Sequence, residues 1–426
     1  MRALVLCAPL VVISAGCAPK DPGPPTYVRD VQPLIERSCL SCHKEGSIAP
    51  VQFDTPEKAK LLSASIWAAI ESKRMPPYYA SGECNAYKDD PRFTAEETEV
   101  IRQWVENGAE VGDLREEKHA EVPQLPTIRR DRVMTIGTDF DVRTMNPNEL
   151  DNYRCFALDP MATEQLMVTA SEVIPGNVQL VHHVLAYEVL ASQLGELQAL
   201  DDRAPGPGYP CKSGSVGIDG TLMRQIAGWV PGSSPYQLPP NSGLHISAGS
   251  KIVVQIHYNL NALSRGEVSP FDQTRVAIDV DTSGTLKLAR IIPMFNDDLD
   301  IPAFEKKSVQ TAQFPIGLIY SGARIYGLSG HMHQLGTDVK LEQVKKDGTS
   351  KCMVDINDWD FNWQRTYELQ RPMTLEVEDS LRITCTYDNS QENQAYIGGV
   401  QATPRRVRWG ESSFDEMCMV YMTFVQ

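Results

Sequence analysis

The spacing of apolar residues changes near residue 131, and this change divides the chain into two structural classes. Before it, apolar residues recur at the three- and four-residue intervals of amphipathic helices, as at Val31, Leu34 and Ile35. After it, short β-branched runs alternate with turn-forming residues, as in 251–258 and 381–387, which is typical of packed β-sheets. We therefore predict a small all-α domain followed by two all-β sandwiches of the jelly-roll type.

Turn clusters and helix signals set the predicted boundaries. Thr94 and Glu97 have the spacing of a capping box and begin the last helix of the first domain, which ends near Gly108. The predicted segments are a signal peptide with a lipobox (1–17), a tether (18–26), the helical domain (27–112), a charged, proline-interrupted linker (113–130) and two sandwiches (131–280 and 281–426).

The start of the chain has the features of an exported lipoprotein. Arg2 is followed by an apolar run, Ala3–Ile13, which is too short for a membrane span of about 20 residues and is typical of a signal peptide. Residues 14–17 resemble a bacterial lipobox in which Cys17 carries the lipid, with plain signal cleavage as the alternative. We expect an exported protein, periplasmic or in the cell envelope, anchored to the outer membrane only through this lipid.

Charge and cysteine content narrow the partners. The chain has 55 acidic and 40 basic residues, and the net charge of −15 argues against binding to nucleic acid. Export implies an oxidising compartment, where disulfides persist. Six of the ten cysteines remain after the signal peptide, the lipobox and the motif described next, and their pairing stays open at this point: Cys84, Cys155, Cys211, Cys352, Cys385 and Cys418.

Residues 39–43 form a C-x-x-C-H motif. Two thiols at this spacing can each bond to a vinyl group of haem, and His43 is then placed as an axial ligand of the iron. A thioredoxin-like pair would follow a strand, whereas this motif ends a short helix. A zinc site would need a second pair of ligands, and only Cys84 is near. We therefore predict one covalent haem c on Cys39 and Cys42.

Met75 is the candidate for the sixth haem ligand. It precedes Pro76 and Pro77 in a rigid turn, and a Met/His pair raises the haem potential in a way that suits electron transfer. A lone methionine is more often part of a core. The order of the C-x-x-C-H motif, this turn and a final helix containing Trp104 resembles the small class I cytochrome c domains over residues 27–112.

Five of the seven other histidines fall in three short motifs: His182-His183, His257 and His331-Met332-His333. Residues two apart in a strand point to the same face, so His331 and His333 can bind one ion while Met332 faces away. Adjacent histidines diverge, so His182 and His183 can share a metal only if one binds through Nδ1 or if the strand bends. Imidazole suits zinc, copper, iron and nickel, and a thioether favours Cu(I).

The order of these motifs, followed by Asp415-Glu416-Met417-Cys418, resembles the copper type II, ascorbate-dependent monooxygenases over about residues 135–426. Segments 359–364 and 384–389 are similar to the dopamine β-monooxygenase branch. In that family two sandwich domains each hold one copper across an open cleft. The resemblance implies one copper that stores and passes an electron, on His182, His183 and His257, and one where O2 binds and the substrate C–H bond is attacked, on His331, His333 and Met417.

The resemblance also implies two disulfides. Cys155–Cys211 and Cys385–Cys418 match bridged positions in the family, and the second bridge would fix the neighbouring ligand Met417. Cys84 and Cys352 are then left over, and they are a candidate bridge between the haem domain and the copper core.

Departures from the family bear on the substrate. Ser329 stands where the peptide-hydroxylating branch has an arginine that binds a carboxylate, which argues against a peptidylglycine substrate. Tyr421 matches a substrate-pocket tyrosine of that branch, with a core aromatic as the alternative. His245 and His119 match no motif, and we interpret them as a strand or turn residue and a solvated linker residue.

Together these features predict an oxidoreductase with two copper ions and one haem c that uses O2 to hydroxylate a C–H bond of a small organic substrate. Electrons would come from an ascorbate-like reductant or a redox protein, and would pass through the haem. The alternative is a non-catalytic electron-transfer or copper-handling lipoprotein, since fold alone does not fix function. A copper carrier needs only one good site, so two complete ligand sets favour the enzyme.

Overall fold

The computed structural model describes residues 23–45, 49, 51–120, 126–137, 139–145, 151–211, 216–218, 224–230, 233–260, 263, 268–361, 363–397, 400–410, 412 and 414–426. These residues form two units, one containing 23–76 and 91–120 and the other containing 77–90 and the described residues from 126 onward. The signal peptide and Cys17 lie outside the described residues.

The first unit is helical. A π-helical turn, Tyr27–Val31, leads into α1 (Gln32–Ser38), α2 (Pro56–Glu71) and α3 (Ala95–Glu106). The capping box predicted at the start of α3 is confirmed, because the Thr94 side chain accepts from the backbone N–H of Glu97 and the Glu97 side chain accepts from that of Thr94. The helices enclose a core that includes the fully buried Trp104.

Residues 113–120, which were expected to begin the linker, are fixed to the first unit. A 3-10 turn, Leu114–Glu116, is followed by Lys118, whose backbone N–H donates to Val28 O at 2.9 Å. The Glu36 carboxylate pairs with the His119 ring and accepts from the Ala120 backbone N–H, each at 2.7 Å. The charged residues that suggested a linker therefore form specific contacts with the first unit, and His119 pairs with Glu36.

Residues 77–90, which the pattern placed within the helical domain, belong to the second unit. Ala80 and Tyr87 pair with Ile356 and Leu369 as isolated β-bridges, and Tyr78 and Tyr87 are buried in the second unit's core. Cys84 bonds to Cys352 within this same unit. The segment has no helical periodicity of its own, and its aromatic side chains are buried by packing against these strands.

The second unit consists mainly of strands, with α4 (Leu194–Arg203) and 3-10 turns at Val142–Thr144, Ala191–Gln193 and Leu318–Tyr320. The strands are β1 (Arg132–Thr135), β2 (Phe140–Asp141), β3 (Asp151–Leu158), β4 (Leu166–Ile174), β5 (Val181–Val189), β6 (Tyr209–Pro210), β7 (Arg224–Trp229), β8 (Tyr236–Gln237), β9 (Ser242–Ile246), β10 (Lys251–Asn259), β11 (Phe271–Asp272), β12 (Arg275–Asp281), β13 (Lys287–Phe295), β14 (Asp300–Ile301), β15 (Ser308–Pro315), β16 (Arg324–His331), β17 (Gly336–Val344), β18 (Ser350–Ile356), β19 (Tyr367–Thr374), β20 (Ser380–Tyr387), β21 (Tyr396–Ile397), β22 (Val400–Gln401), β23 (Val407–Arg408) and β24 (Met419–Val425).

Three sheets build two sandwiches, as the β-rich pattern predicted. A nine-stranded sheet has the order β1-β12-β4-β9-β13-β24-β16-β19, with β8 beside β4. The five-stranded sheet β6-β3-β10-β5-β7 shares one core with its first part, and the four-stranded sheet β15-β20-β17-β18 shares another core with its second part. Apolar burial on the inner faces of these sheets is the main stabilising contribution.

The two sandwiches are joined by hydrogen bonds. The chain turns between β12 and β13, next to the predicted boundary at 280/281. β13 then pairs in parallel with β9 through Lys287–Ser242 and Ala289–Leu244. The large sheet is therefore continuous from one sandwich to the other. In the described part of the chain no helix is both long and apolar enough to span a membrane.

Candidate metal centre

A β-bulge brings the first three histidines together. β5 and β10 are antiparallel neighbours, and His257 lies opposite His183. The next pair is Tyr258 with Val181, so His182 is an extra residue on its strand. A bulge of this kind rotates the local backbone and re-aims the side chain. This register shift agrees with one of the two alternatives that the sequence left open, an irregular strand at His182 and His183.

The three imidazoles have the spacing of ligands around one ion. Nδ1 of His183 lies 3.3 Å from Nδ1 of His182 and 3.3 Å from Nδ1 of His257. Metal–imidazole bonds of about 2.0–2.1 Å in tetrahedral geometry place neighbouring nitrogens roughly 3.3 Å apart. The ligand atoms of all three lie within 4.8 Å of one another. This donor set fits a copper ion, since imidazole suits copper.

The surroundings of His183 favour its neutral ring. Desolvation lowers the pKa of His183 well below its ordinary value, and the neighbouring His257 and His182 lower it further. The neutral ring is the form that offers a lone pair to a metal. Tyr153 stacks on His257 with ring centroids 4.3 Å apart and planes 11° apart, which restricts the orientation of that ring.

The second pair of histidines lies at the end of β16. The rings of His331 and His333 have centroids 5.3 Å apart and are nearly perpendicular, at 86°. Met332 between them is fully buried in the core, so it faces away from the pair as the strand periodicity predicted. Both imidazoles therefore stand on one side of the strand end.

In each ring of this pair, a carbonyl oxygen next to Nδ1 determines which nitrogen carries the proton. Nδ1 of His331 lies 2.7 Å from Gln364 Oε1, and the Gln364 amide is oriented by its own donation to Phe361 O at 3.0 Å. Nδ1 of His333 lies 3.1 Å from Asp415 O. A carbonyl can only accept, so each Nδ1 carries its proton, and Nε2 is the ring nitrogen whose lone pair could bind a metal. Desolvation lowers the pKa of His331, which keeps its ring neutral, although the bond to Gln364 opposes this shift.

Glu416 is a site residue to which the sequence assigned no role. Its fully buried carboxylate accepts from the backbone N–H of His333 at 2.9 Å, of Leu335 at 2.7 Å and of Met417 at 3.3 Å. Burial raises its pKa to about 8, although these N–H donors act in the opposite direction. The Glu416 carboxyl group thus links the backbone at His333 and Leu335 to the backbone at Met417. Met417 itself is buried. The only signal in the sequence was its position directly before Met417.

The two histidine sets lie close together. The rings of His183 and His331 have centroids 6.5 Å apart. Phe361 stacks on His182 at 4.9 Å and meets His333 edge-on at 6.2 Å. The open cleft that the family resemblance implied is not seen between these rings, because His183 and His331 lie close together and the Phe361 ring contacts one histidine of each set.

The structure contains both disulfides that the resemblance implied and the leftover pair. Cys155 bonds to Cys211, and Cys385 on β20 bonds to Cys418, directly after Met417. Cys84 and Cys352 also bond, but within the second unit, so this bridge does not join the two units.

The C-x-x-C-H residues lie in the first unit. Cys39 and Cys42 are outside any disulfide, and desolvation raises the pKa of the Cys39 thiol to about 12. Nδ1 of His43 lies 2.7 Å from Val51 O, and the ring stacks on Phe53 at 4.5 Å. Met75 is half-buried at the end of the turn after α2, and its backbone N–H donates to Ala69 O at 3.0 Å.

Tyr421 and His245, which the sequence analysis also considered, both lie on strands of the nine-stranded sheet. Tyr421 on β24 lies opposite Ser329 on β16, and burial raises the pKa of its hydroxyl to about 12. His245 lies on β9, as the strand alternative proposed, and its Nδ1 pairs with Arg224, which also forms an ion pair with Glu188. Neither residue is among the metal-binding donors grouped above.

Comparison with known proteins agrees with this geometry. Residues 139–264 match the N-terminal domain of the copper type II ascorbate-dependent monooxygenases, and residues 291–426 match the C-terminal domain. The chain belongs to this family. The N-terminal match contains the three-histidine set, and the C-terminal match contains the His331, His333 and Met417 set.

Individual relatives are distant. Tyramine beta-hydroxylase of Caenorhabditis briggsae is 26% identical over 59% of this chain and 41% of its own length, and DBH-like monooxygenase protein 1 of Mus musculus is 22% identical over 68% and 48%. The chain thus spans about half the length of these curated relatives. Among solved structures, the major capsid protein P2 of bacteriophage PM2 aligns over 69% of this chain and 96% of its own, with 8% identity and a TM-score of 0.28.

Proposed function

We propose that this protein is a copper monooxygenase that hydroxylates a C–H bond of a small organic substrate with O2. The proposal rests on two histidine sets in one unit, one of three histidines and one of two histidines with Met417 nearby in the sequence motif. The rings of His183 and His331, one from each set, have centroids 6.5 Å apart. A carrier of copper needs one set. Hydroxylation (R–H + O2 + 2 e− + 2 H+ → R–OH + H2O) needs two electrons from a reductant in addition to the two that the C–H bond supplies. Two one-electron sites satisfy that requirement.

Each residue has a role that follows from its contacts. His182, His183 and His257 would hold one copper, which would supply electron transfer. His331, His333 and Met417 would hold the other, which would supply O2 activation beside the substrate. Bound copper supplies O2 activation and one-electron transfer. Gln364 and the Asp415 carbonyl keep the Nδ1 protons in place, so that Nε2 of each histidine faces the metal.

The test is labelled-oxygen incorporation by the full chain loaded with copper. With ascorbate, ¹⁸O2 and tyramine, or a panel of small amines and alcohols, we expect product that contains one labelled oxygen atom. Tyramine is the first probe because a relative is a tyramine beta-hydroxylase. A His331→Ala variant should lose the product. Protein with two coppers that gives no labelled product with any substrate of the panel would contradict the proposal.

We also propose that the first unit carries a haem c bound through Cys39 and Cys42, with His43 and Met75 as axial ligands. Two observations support this assignment. Cys39 and Cys42 are outside any disulfide, and the contact of His43 Nδ1 with Val51 O leaves Nε2 as the nitrogen that could bind iron. Haem supplies one-electron transfer. Export to an oxidising compartment, with a lipid on Cys17, is part of the same proposal and is supported by the three disulfides.

The haem would then be the immediate electron donor to the copper on His182, His183 and His257. The chain passes between the two units at 76/77, at 90/91 and again before residue 126, so the donor stays at high local concentration. On mixing reduced protein with O2 and substrate, ferrous haem should oxidise in step with product formation, at a rate independent of protein concentration. Slow oxidation that depends on concentration would contradict the relay.

A further inference from the structure

One short segment contacts both histidine sets. We call residues 359–361 and 363–364 the bridging segment. At its start, the indole Nε1–H of Trp359 donates to His333 O at 3.1 Å, and at its end Gln364 Oε1 lies 2.7 Å from Nδ1 of His331. Both ends of the bridging segment are therefore fixed to the histidine pair of the C-terminal sandwich.

The middle of the bridging segment reaches the other histidine set. The ring of Phe361 lies nearly parallel to that of His182, with centroids 4.9 Å apart and planes 26° apart. The same ring meets His333 edge-on, at 6.2 Å and 86°. A single apolar side chain thus touches one histidine of each set, and His183 and His331 stand 6.5 Å apart beside it.

The bridging segment is itself held in place. The backbone N–H of Trp359 donates to Thr337 O at 2.9 Å, and that of Trp363 donates to Asp360 O at 3.0 Å. The Tyr79 hydroxyl hydrogen-bonds to the Asp360 side chain. Tyr79 belongs to segment 77–90, which the Cys84–Cys352 disulfide fastens to β18. The position of Phe361 is therefore determined by neighbours on both sides of it.

The stacking of Phe361 on His182 bears on the distance between the two proposed copper sites. His182 belongs to the N-terminal sandwich and Phe361 to the C-terminal one. Their stacking therefore adds a contact at the site itself to the β9–β13 pairing that already joins the two sandwiches. Close approach of the two histidine sets shortens the path that an electron has to travel between them.

We propose that Phe361 is a positioning residue that holds the two copper sites in a closed arrangement by stacking on His182. This inference depends on the proposed function only in that both histidine sets bind copper. Its role lies in setting the distance between the sites, while the ligands themselves stay unchanged.

The test is electron paramagnetic resonance of the full chain loaded with two Cu(II) ions, with copper content measured first. Wild-type protein should give a dipolar-broadened spectrum with a half-field transition, because dipolar coupling falls with the cube of the separation. Phe361→Ala should lose the half-field transition and give two isolated Cu(II) signals. Phe361→Tyr keeps the stacking surface and should restore the coupling. Phe295→Ala, at a partly exposed phenylalanine of the same unit that contacts Trp409 instead, is the matched control and should leave the spectrum unchanged.

The outcomes separate this inference from the proposed function. Wild-type protein that binds fewer than two coppers would overturn the copper assignment and the inference with it. Two coppers without coupling in the wild type, or unchanged coupling in Phe361→Ala, would overturn the role of Phe361 alone, and labelled product would then still support the monooxygenase. Loss of coupling in Phe361→Ala with two coppers retained and rescue by Phe361→Tyr supports it.

Discussion

The Glu416 carboxylate accepts a hydrogen bond from the backbone N–H of His333 at 2.9 Å, inside the core of the second unit. It accepts two more from Leu335 and Met417. Glu416→Ala should therefore leave buried donors unpaired and lower the free energy of unfolding by roughly 2–5 kcal/mol. Urea unfolding of the metal-free protein measures this loss. Glu416→Gln, which keeps one acceptor, should lose less, and equal stability of the Ala variant and wild type would contradict the role.

Met417 is the proposed third donor of the second copper set. Met417→Ile removes the thioether while keeping an apolar side chain of similar volume at this buried position. We expect the copper on His182, His183 and His257 to stay bound and hydroxylation to be lost. Copper content by mass spectrometry, together with product formation, checks this expectation. Loss of both coppers, or full activity, would count against the assignment.

Haem attached through two thioether bonds should resist extraction. If the proposed haem is bound to Cys39 and Cys42, acid–acetone should leave it with the protein, because thioether bonds would survive the treatment that removes ligand-bound haem. The double variant Cys39→Ser, Cys42→Ser should release it into the organic phase. Absorbance of the two phases gives the answer, and haem in the organic phase from wild-type protein would refute covalent attachment.

The Cys84–Cys352 disulfide closes the longest loop of the three, with a sequence separation of 268 residues. A cross-link of this kind restricts the unfolded chain, and its removal costs about 2–5 kcal/mol. The double variant Cys84→Ser, Cys352→Ser should therefore unfold at a lower urea concentration than wild type. The same midpoint for both proteins, measured without reductant, would show that segment 77–90 is held by its other contacts.

Hydrogen bonding to Glu36 raises the pKa of His119 above its ordinary value of 6.5. Since the folded pKa is raised, the contribution of this pair to stability is fully present below pH 6.5 and is lost as the pH rises through the folded pKa. The contribution is small because the ring is mostly exposed. Proton NMR titration should show a raised pKa for His119 and a lower pKa in Glu36→Gln, where Glu117 still raises it. Identical titration curves would disprove the pairing.

Local patterns in the sequence were sufficient for several features. The Thr94 and Glu97 capping box, the β-rich second part and the common face of His331 and His333 each depend on residues within a few positions of one another. The ordered copper motifs likewise predicted the family, because the same donor types recur in the same order. The two disulfide pairings came from that resemblance, since six cysteines alone allow many pairings.

Only the tertiary structure decided the features that depend on which distant strands lie side by side. The bulge at His182 follows from its register with β10, and the continuous sheet follows from the pairing of β13 with β9. The attachment of segment 77–90 to the second unit and the stacking of Phe361 on His182 likewise join residues that are far apart in sequence. No local pattern specifies these contacts, because each depends on the hydrogen bonding and burial that two remote segments achieve only together.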